Sequence, residues 1–473
     1  MAHRHGRRLF FTVIAALALF WSAEAGAGPG IEPESPDRSV TYPGTLQEAK
    51  PSTRDSDSPP PWAEGRWSLS WQGWDGLHYS FFGQRPTGRF WSKDEEQPAF
   101  PSLFLDRVDV AGKIGGRVDL DAAFFVDGDG MGPVANQVEL RRWRFFTTGD
   151  AIFLVPFSYS ATVMAVNGAH FVLDDIFLEF RRIPHLGTLR LGTFIPAMSL
   201  EASGSSRDAT FMEWGTPIQG LAPRISAGWQ LRRAVFNERA TWTVGQFGPS
   251  AGTDVGDATR DFFRMIGRAT WLPIYEISAE NPNGQRLLHL GLDLNYLRSG
   301  NATIRYRSRP EANTAPFLAD TGEIAAHDME SVGVEAAWVD GPWSVQGEYL
   351  NNLVSETVDK TFFGFYMYGS YFLTGESRPY DRRRGVFGRL RPERNFSFGG
   401  DGYGALETAV RFSYLDLDNG PIDGGILRAV TAGVNWYLHA NSKIRFNYVF
   451  AHASGGPRDG DLHVFETRFE FDF

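Results

Sequence analysis

The sequence contains no cysteine among its 473 residues. This absence excludes a disulfide scaffold, a thiolate zinc site and a cysteine nucleophile. Lysine is also scarce, since five of the 46 basic residues are lysine and all the others are arginine. Acidic residues outnumber basic ones and the formal net charge is −10, which argues against a general nucleic-acid-binding protein.

Long apolar runs are missing from most of the chain. No stretch after residue 25 approaches the ~18 consecutive apolar residues that a membrane-spanning helix needs. The apolar run Leu9–Trp21 is too short for such a helix, and it lies between the arginines of residues 4–8 and the small residues of Ala23-Glu24-Ala25. This order is typical of a signal peptide, so we expect residues 1–25 to direct export and to be removed.

Catalytic motifs are missing as well. There is no GxSxG, no HExxH and no glycine-rich phosphate loop, and His170, His185 and His289 have no serine or aspartate partner pattern. The run Asp127–Gly130 lacks the spacing and the terminal glutamate of an EF-hand loop, so we interpret it as a turn. The sequence therefore predicts no enzyme, no cofactor and no metal site, with an outer-membrane barrel enzyme or an adhesin as alternatives from other classes.

Residues 26–61 are rich in Pro, Ser, Asp, Glu and Gly and hold few large apolar side chains. Such a segment cannot bury enough apolar surface to fold, so we expect a disordered linker. From Trp62 to Phe473 the composition shows no further break, which predicts one domain over residues 62–473.

Alternation of apolar and polar residues dominates this domain. In the last segment, Phe465, Thr467, Phe469, Phe471 and Phe473 share one face, and Glu466, Arg468, Glu470 and Asp472 share the other. A soluble β-sandwich would give the same alternation with its apolar face inward. Segments of about ten residues, whole charges on the polar faces and a terminal phenylalanine favour a transmembrane antiparallel β-barrel in an all-β protein. The alternation gives about nineteen candidate strands, the wall needs an even number, and about 410 residues leave room for 16 strands with their connections.

Four short motifs resemble the phosphate-selective porin O/P family. They are Glu139-Leu140-Arg141-Arg142, the run Ser199–Glu213, Ser370–Glu376 with Arg378 and Tyr380, and Gly433–Leu438 with Asn447-Tyr448. The resemblance implies a 16-stranded homotrimer in the lipid of a Gram-negative outer membrane. It also implies passive diffusion of small anions, phosphate or polyphosphate among them. We further expect the barrel-assembly machinery to engage the terminal Phe473.

The resemblance also implies a set of site residues. The family's paired constriction arginines correspond to Arg141 and Arg142, and the hydroxyl pair of its inward-folded loop corresponds to Ser205 and Ser206. Phosphate-selective members carry a lysine where this chain has Ala202 and an arginine where it has Trp214. Arg141 and Arg142 therefore predict a preference for anions, and the absence of the two other cations predicts weak discrimination for phosphate. A general non-selective porin is the alternative.

A second basic region lies between residues 378 and 394. Counting strands back from Phe473 places residues 375–403 on the periplasmic side, where barrel turns are short. The family resembled has a periplasmic turn that folds into the lumen and supplies cations. We therefore expect Arg382, Arg383 and Arg384 to contact anions, the alternative being a solvated basic segment. The acidic stretch 309–330 falls on the extracellular side.

Overall fold

The computed structural model describes residues 66–72, 76–84, 107–128, 130–152, 155–166, 170–250, 263–277, 285–355 and 359–473. The proposed signal peptide and the proposed linker lie outside these residues. The chain divides into two compact units, Met1–Arg66 with Phe82–Arg107, and Trp67–Phe81 with Val108–Phe473. The first unit is described only at residues 66, 82–84 and 107, and the account below concerns the second unit.

Strands make up almost all of the regular structure. The strands are β1 (Arg66–Trp71), β2 (Leu77–Gln84), β3 (Arg107–Asp127), β4 (Gln137–Ile152), β5 (Pro156–Val166), β6 (His170–Ile183), β7 (Gly187–Phe194), β8 (Ser226–Val235), β9 (Ala240–Ser250), β10 (Phe263–Ile277), β11 (Gln285–Ile304), β12 (Arg307–Ser308), β13 (Ala319–Asp320), β14 (Ile324–Asp340), β15 (Trp343–Ser355), β16 (Lys360–Phe372), β17 (Tyr380–Asp381), β18 (Val386–Phe387), β19 (Ala405–Asn419), β20 (Ile422–His439), β21 (Ser442–Ser454) and β22 (Gly460–Asp472). Two short helices are α1 (Leu200–Ser203) and α2 (Thr216–Leu221). Among the described residues, no helix has the length and apolar character needed to span a membrane.

Sixteen strands form a closed antiparallel barrel. They are β3–β11, β14–β16 and β19–β22, and each pairs with the next along the chain. The barrel closes where β22 pairs with β3, from Leu462 opposite Asp127 to Asp472 opposite Arg117. The prediction of a 16-stranded transmembrane barrel is confirmed.

The two faces of each strand meet different surroundings. In β22, Phe465 and Phe469 are 50% and 44% exposed, whereas Arg468 and Glu470 on the other face are 0% and 2% exposed. The same inversion is seen in β20, where Val430 is exposed. A sandwich would bury its apolar faces, so the exposed apolar faces exclude it and match a lipid-facing wall.

Two tight hairpins each need a glycine directly after a strand. Gly341 (φ 54°) and Gly420 (φ 60°) each follow the last residue of a strand, and each precedes a proline. A positive φ at the first central position is the requirement of a type II′ turn, and glycine meets it without steric cost. These hairpins set the registers of β14 with β15 and of β19 with β20.

Three longer connections pack against inner faces of the wall. We call residues 195–225, which contain α1 and α2, the inner loop, and residues 305–323, with β12 and β13, the acidic loop. Both lie at the end opposite the C-terminus. We call residues 373–404, with β17 and β18, the basic turn, which lies at the C-terminal end. A buried apolar cluster that includes Phe211 and Ile218 forms where the inner loop meets the wall.

Candidate functional site

Three arginines on inner strand faces hold the inner loop by its backbone. Arg411 of β19, Arg445 of β21 and Arg468 of β22 are each 0% exposed. Their guanidinium groups donate to carbonyl oxygens of residues 213, 211 and 212, at 3.0, 2.9 and 2.7 Å in that order. Sequence reasoning did not select these arginines, although the alternation in the last strands places all three on polar faces. They bind protein and fix the loop across the interior of the barrel.

Arg141, a predicted constriction residue, pairs with the inner loop. Its Nε and Nη2 donate to the two carboxylate oxygens of Glu213 at 2.9 and 3.0 Å. Arg468 reaches the same carboxylate at 2.7 Å. Burial alone would raise the pKa of Glu213, but Arg141 and Arg468 hold it well below its usual range. Glu213 therefore stays ionised and neutralises part of the charge of Arg141.

Arg142 and Ser206 are linked by hydrogen bonds through Asp119 and Arg117. Arg142 Nη1 donates to Asp119 Oδ2 at 2.8 Å, and Arg117 Nε donates to the other oxygen of Asp119 at 2.8 Å. Arg117 Nη1 also donates to the Ser206 hydroxyl at 2.9 Å. The structure thus brings these two predicted residues into one network, with Arg117 as a further member that the sequence analysis missed.

Ser205 lies in the same loop but serves a local contact. Its hydroxyl accepts hydrogen bonds from the backbone N–H and the Nε of Arg207, both at 3.3 Å. It also lines a small cavity beside Arg378 and Tyr368. Ser205 and Ser206 therefore contact different arginines and do not act as one hydroxyl pair in this arrangement.

The two positions that depart from the family pattern lie in apolar surroundings. Ala202 is 3% exposed and belongs to the buried apolar cluster, and Trp214 packs against that cluster. The guanidinium carbon of Arg224 lies 4.8 Å from the centre of a Trp214 ring. A cation is thus present near Trp214, supplied by another residue and stacked on the ring.

The acidic loop contributes a buried carboxylate to the interior. Glu311 is 1% exposed, and it accepts from Arg411 Nη2 at 2.6 Å and from the Ser413 hydroxyl at 2.5 Å. It also accepts from the Thr431 hydroxyl and from the Thr216 N–H of α2. The sequence analysis placed this stretch at the extracellular end, and its fold back onto Arg411 could not be read from charge alone.

The basic turn packs against inner-face residues of the wall. The Tyr380 hydroxyl lies 2.6 Å from His289 Nδ1, and Arg268 donates to the Gly385 carbonyl oxygen at 2.9 Å. Arg378 donates to the Gln346 side-chain oxygen at 2.8 Å. These contacts place the turn within the barrel end rather than in bulk solvent.

The three arginines selected in this turn separate into two groups. Arg382 and Arg383 both pair with Glu238 of the β8–β9 connection, at 3.0 and 2.6 Å. Arg384 lies instead within electrostatic range of Glu179. The structure therefore does not give the three residues a common role.

Arg384 joins two wall arginines around one carboxylate, and we call Arg190, Arg232, Arg384 and Glu179 the basic cluster. Arg232 and Arg190 lie 3.0 and 3.5 Å from Glu179, with side chains 19% and 17% exposed. Arg384 is exposed. Arg181 lies 3.6 Å from the same carboxylate, and Asp175 and Asp381 add two negative charges, so the four guanidinium groups and three carboxylates leave a net charge of +1. Water and small anions reach these cations more readily than the fully buried arginines of the wall.

A closed 16-strand barrel with an apolar outer face, a charged inner face and segments folded into its interior defines an outer-membrane porin. Residues 113–473 match the model of the family described as phosphate-selective porin O and P, and the chain belongs to that family. The protein forms an anion channel in the outer membrane of a Gram-negative bacterium.

Two curated relatives and two solved structures illustrate the similarity. Porin O of Pseudomonas aeruginosa is 25% identical over 414 residues, covering 76% of this chain and 88% of the relative. An uncharacterized protein of Caulobacter vibrioides is 28% identical over 379 residues, covering 76% and 72%. An anion-selective porin from Comamonas acidovorans has a TM-score of 0.48 at 11% identity, covering 77% of this chain and 100% of that one. A loop-deletion mutant of OmpT of Vibrio cholerae has a TM-score of 0.49 at 9% identity, covering 77% and 99%.

Proposed function

We propose that this channel conducts small anions passively and discriminates only weakly for phosphate. The observation that carries the proposal is the basic cluster, where guanidinium groups outnumber carboxylates and remain partly exposed. An ion that enters a narrow pore loses water and needs fixed partners, and cations in excess favour anions. Arg382, Arg383 and Glu238 add a further net charge of +1 beside the cluster.

Weak discrimination for phosphate follows from the pairing of the candidate contacts. Tight phosphate binding needs a guanidinium fork that is free to make two charge-assisted hydrogen bonds. The fork of Arg141 is occupied by Glu213, and Arg142 donates to Asp119. In this proposal, each candidate side chain must break a hydrogen bond within the protein before it can contact a permeating anion. The candidates are Arg141, Arg142, Ser205 and Ser206.

Bilayer recordings test this proposal. In a potassium chloride gradient, the sign of the reversal potential should indicate preference for chloride, and added phosphate should reduce the chloride current only at millimolar concentrations. Trp214→Arg should lower the phosphate concentration needed for block. A cation-selective reversal potential would refute the anion channel, and block by low micromolar phosphate would refute the weak discrimination.

We also propose that the chain acts as a homotrimer that catalyses no reaction, with residues 1–25 removed on export and residues 26–61 left as a linker. The family resemblance and the order of the N-terminal residues support these points. The mass of the native complex in detergent should equal three chains, and the mature chain should begin at residue 26. A monomeric mass, or retention of the first 25 residues, would contradict the respective point.

A further inference from the structure

Three carboxylates from separate strands converge on the inner face of the wall. Asp293 of β11, Glu335 of β14 and Glu348 of β15 are 1%, 1% and 3% exposed. One oxygen of each carboxylate lies within 4.8 Å of the others. We call these residues the carboxylate trio. None of the three belongs to the basic cluster or to the predicted constriction residues.

Two members of the trio are satisfied by hydrogen bonds. Glu335 accepts from Arg268 Nε and Nη2, both at 2.8 Å, and its Oε2 lies 2.8 Å from His289 Nε2. Glu348 accepts from the Tyr366 hydroxyl at 2.5 Å. These contacts hold both carboxylates in fixed positions.

Asp293 differs from the other two. In the part of the chain that the structure describes, neither of its carboxylate oxygens has a hydrogen-bond partner. Arg268 Nε lies 3.7 Å from Asp293 Oδ1, which is beyond hydrogen-bond distance. A Cβ atom at Gly333 would lie 2.9 Å from Asp293 Oδ2, so the absence of a side chain at Gly333 leaves room for the Asp293 carboxylate. A buried carboxylate without hydrogen bonds is costly unless a proton or a cation neutralises it, and one guanidinium group cannot neutralise both Asp293 and Glu335.

Charge and geometry identify the class of that partner. Three carboxylates and the Arg268 guanidinium leave a formal charge of −2 in this buried region, which one divalent cation balances. Calcium binds oxygen ligands at about 2.3–2.6 Å, so two ligands of one ion lie at most about 5 Å apart, in agreement with the trio. Magnesium keeps several waters, which suits a site of such low exposure less well. We propose that Asp293, Glu335 and Glu348 bind one calcium ion.

The carboxylate trio is linked to both the inner loop and the basic turn. Glu348 accepts from the backbone N–H groups of Leu200 and Glu201 in α1, at 2.9 and 2.8 Å, so it also holds the inner loop. Glu335 contacts His289, whose other ring nitrogen contacts Tyr380 of the basic turn. Bound calcium fixes the inner loop and the basic turn to the same three wall strands.

Calcium binding to the full-length folded barrel in detergent tests the proposal. Equilibrium dialysis with radioactive calcium should give one ion per chain. Asp293→Asn should weaken binding at least tenfold, because it removes the carboxylate of the trio that has no hydrogen-bond donor. Glu407→Gln is the matched control: Glu407 is also buried on an inner face, accepts from Asn435 and Tyr437, and lies outside the trio, so this variant should bind calcium as the wild type does.

Wild-type protein without saturable calcium binding, or an Asp293→Asn variant that binds as tightly as wild type, would overturn the site. Heat-modifiable migration checks that each variant is folded. If Asp293→Asn does not fold, terbium luminescence sensitised by Tyr366 in the wild type decides: a signal displaced by calcium supports the site, and its absence refutes it. These measurements need no conduction, so their failure is distinct from failure of the proposed channel function.

Discussion

The inner-face arginines of this porin have two kinds of partner. Arg445 and Arg468 donate to the backbone of the inner loop and are fully buried, whereas Arg190 and Arg232 lie around a single carboxylate and are partly exposed. A guanidinium group presents five donors in a rigid fork, so one side chain can bind a loop carbonyl and a carboxylate together. Arginine content alone therefore overstates the positive charge that a permeating ion meets.

Removing the partner of Arg141 tests this distinction. Glu213→Gln removes the negative charge that Arg141 and Arg468 share, so the interior gains one positive charge. A unit charge about 10 Å from an ion in water contributes about 0.4 kcal/mol, which predicts a roughly two- to fourfold rise in the anion-to-cation permeability ratio. Reversal potentials measure the ratio, and Glu407→Gln tests whether loss of any inner carboxylate has the same effect. An unchanged ratio in folded Glu213→Gln would show that ions do not pass near Arg141.

Glu201 of α1 predicts a dependence on pH. Burial raises its pKa to about 7, because Arg411 and the Gly215 N–H only partly offset the loss of water. The charged groups that face it are Arg411 of β19, Glu311 of the acidic loop, Arg378 of the basic turn and Glu348 of β15. Between pH 8 and pH 6 the carboxylate takes up a proton, so the interior becomes more positive and the preference for anions should increase.

Glu201→Gln provides the comparison for this titration. The variant is neutral at every pH, so at pH 8 it should be roughly two- to fourfold more anion-selective than wild type, and at pH 6 the two should agree. Reversal potentials across this pH range measure the difference. Equal pH profiles of the two proteins would assign the titration to other groups.

At the scale of elements, the three in-folded segments each contribute different side chains to the interior of the barrel. The inner loop brings apolar side chains such as Phe211 and Ile218, the acidic loop brings Glu311 to Arg411, and the basic turn brings Arg384 to the basic cluster. Each segment is held by side chains from several wall strands. The closed wall therefore determines where these segments lie.

The basic turn yields a prediction that separates its neighbouring arginines. Arg384→Gln should lower the anion-to-cation permeability ratio by roughly two- to fourfold at low salt, because the variant lacks one positive charge of the basic cluster. Arg383→Gln is the matched control, since Arg383 is paired with Glu238 and its side chain is 75% exposed. The effect should shrink as the screening length falls from about 30 Å at 0.01 M to about 3 Å at 1 M salt. Equal effects of the two substitutions would contradict the division of the turn into two groups.

For the whole molecule, the alternation in the sequence was enough to predict the barrel, whereas the number of 16 strands came from the family resemblance. Successive residues of a strand face the lipid and the interior in turn, so they must be apolar and polar in turn. Val430, which is exposed on the outer face, and Thr431, which is buried on the inner face, are an example. Partners inside the barrel could not be predicted, because Glu311 and Arg411 lie on different elements that only the finished register brings together. The carboxylate trio has the same origin: its members come from three strands with no local spacing to signal them.

Deletion of Phe473 tests assembly of the whole barrel. In the closed wall its backbone exchanges two hydrogen bonds with Gly116, at 3.0 and 3.2 Å, and each contributes only about 1 kcal/mol. If the assembly machinery engages this residue, the heat-modifiable form in outer membranes should fall about tenfold. Phe473→Tyr keeps an aromatic terminus and should assemble normally. Wild-type amounts of the deletion protein would show that Phe473 is not the residue engaged.

The position of Arg468 has a consequence for the order of events in folding. Its strand, β22, is the last to be synthesised and is also the one that pairs with β3, while its side chain donates to Met212 in the middle of the chain. The inner loop therefore receives its final anchor only when the two ends of the domain meet. Such pairings between distant parts of a chain form slowly. The nascent polypeptide thus reaches the membrane without a completed constriction, and permeability is established in the same step that seals the wall.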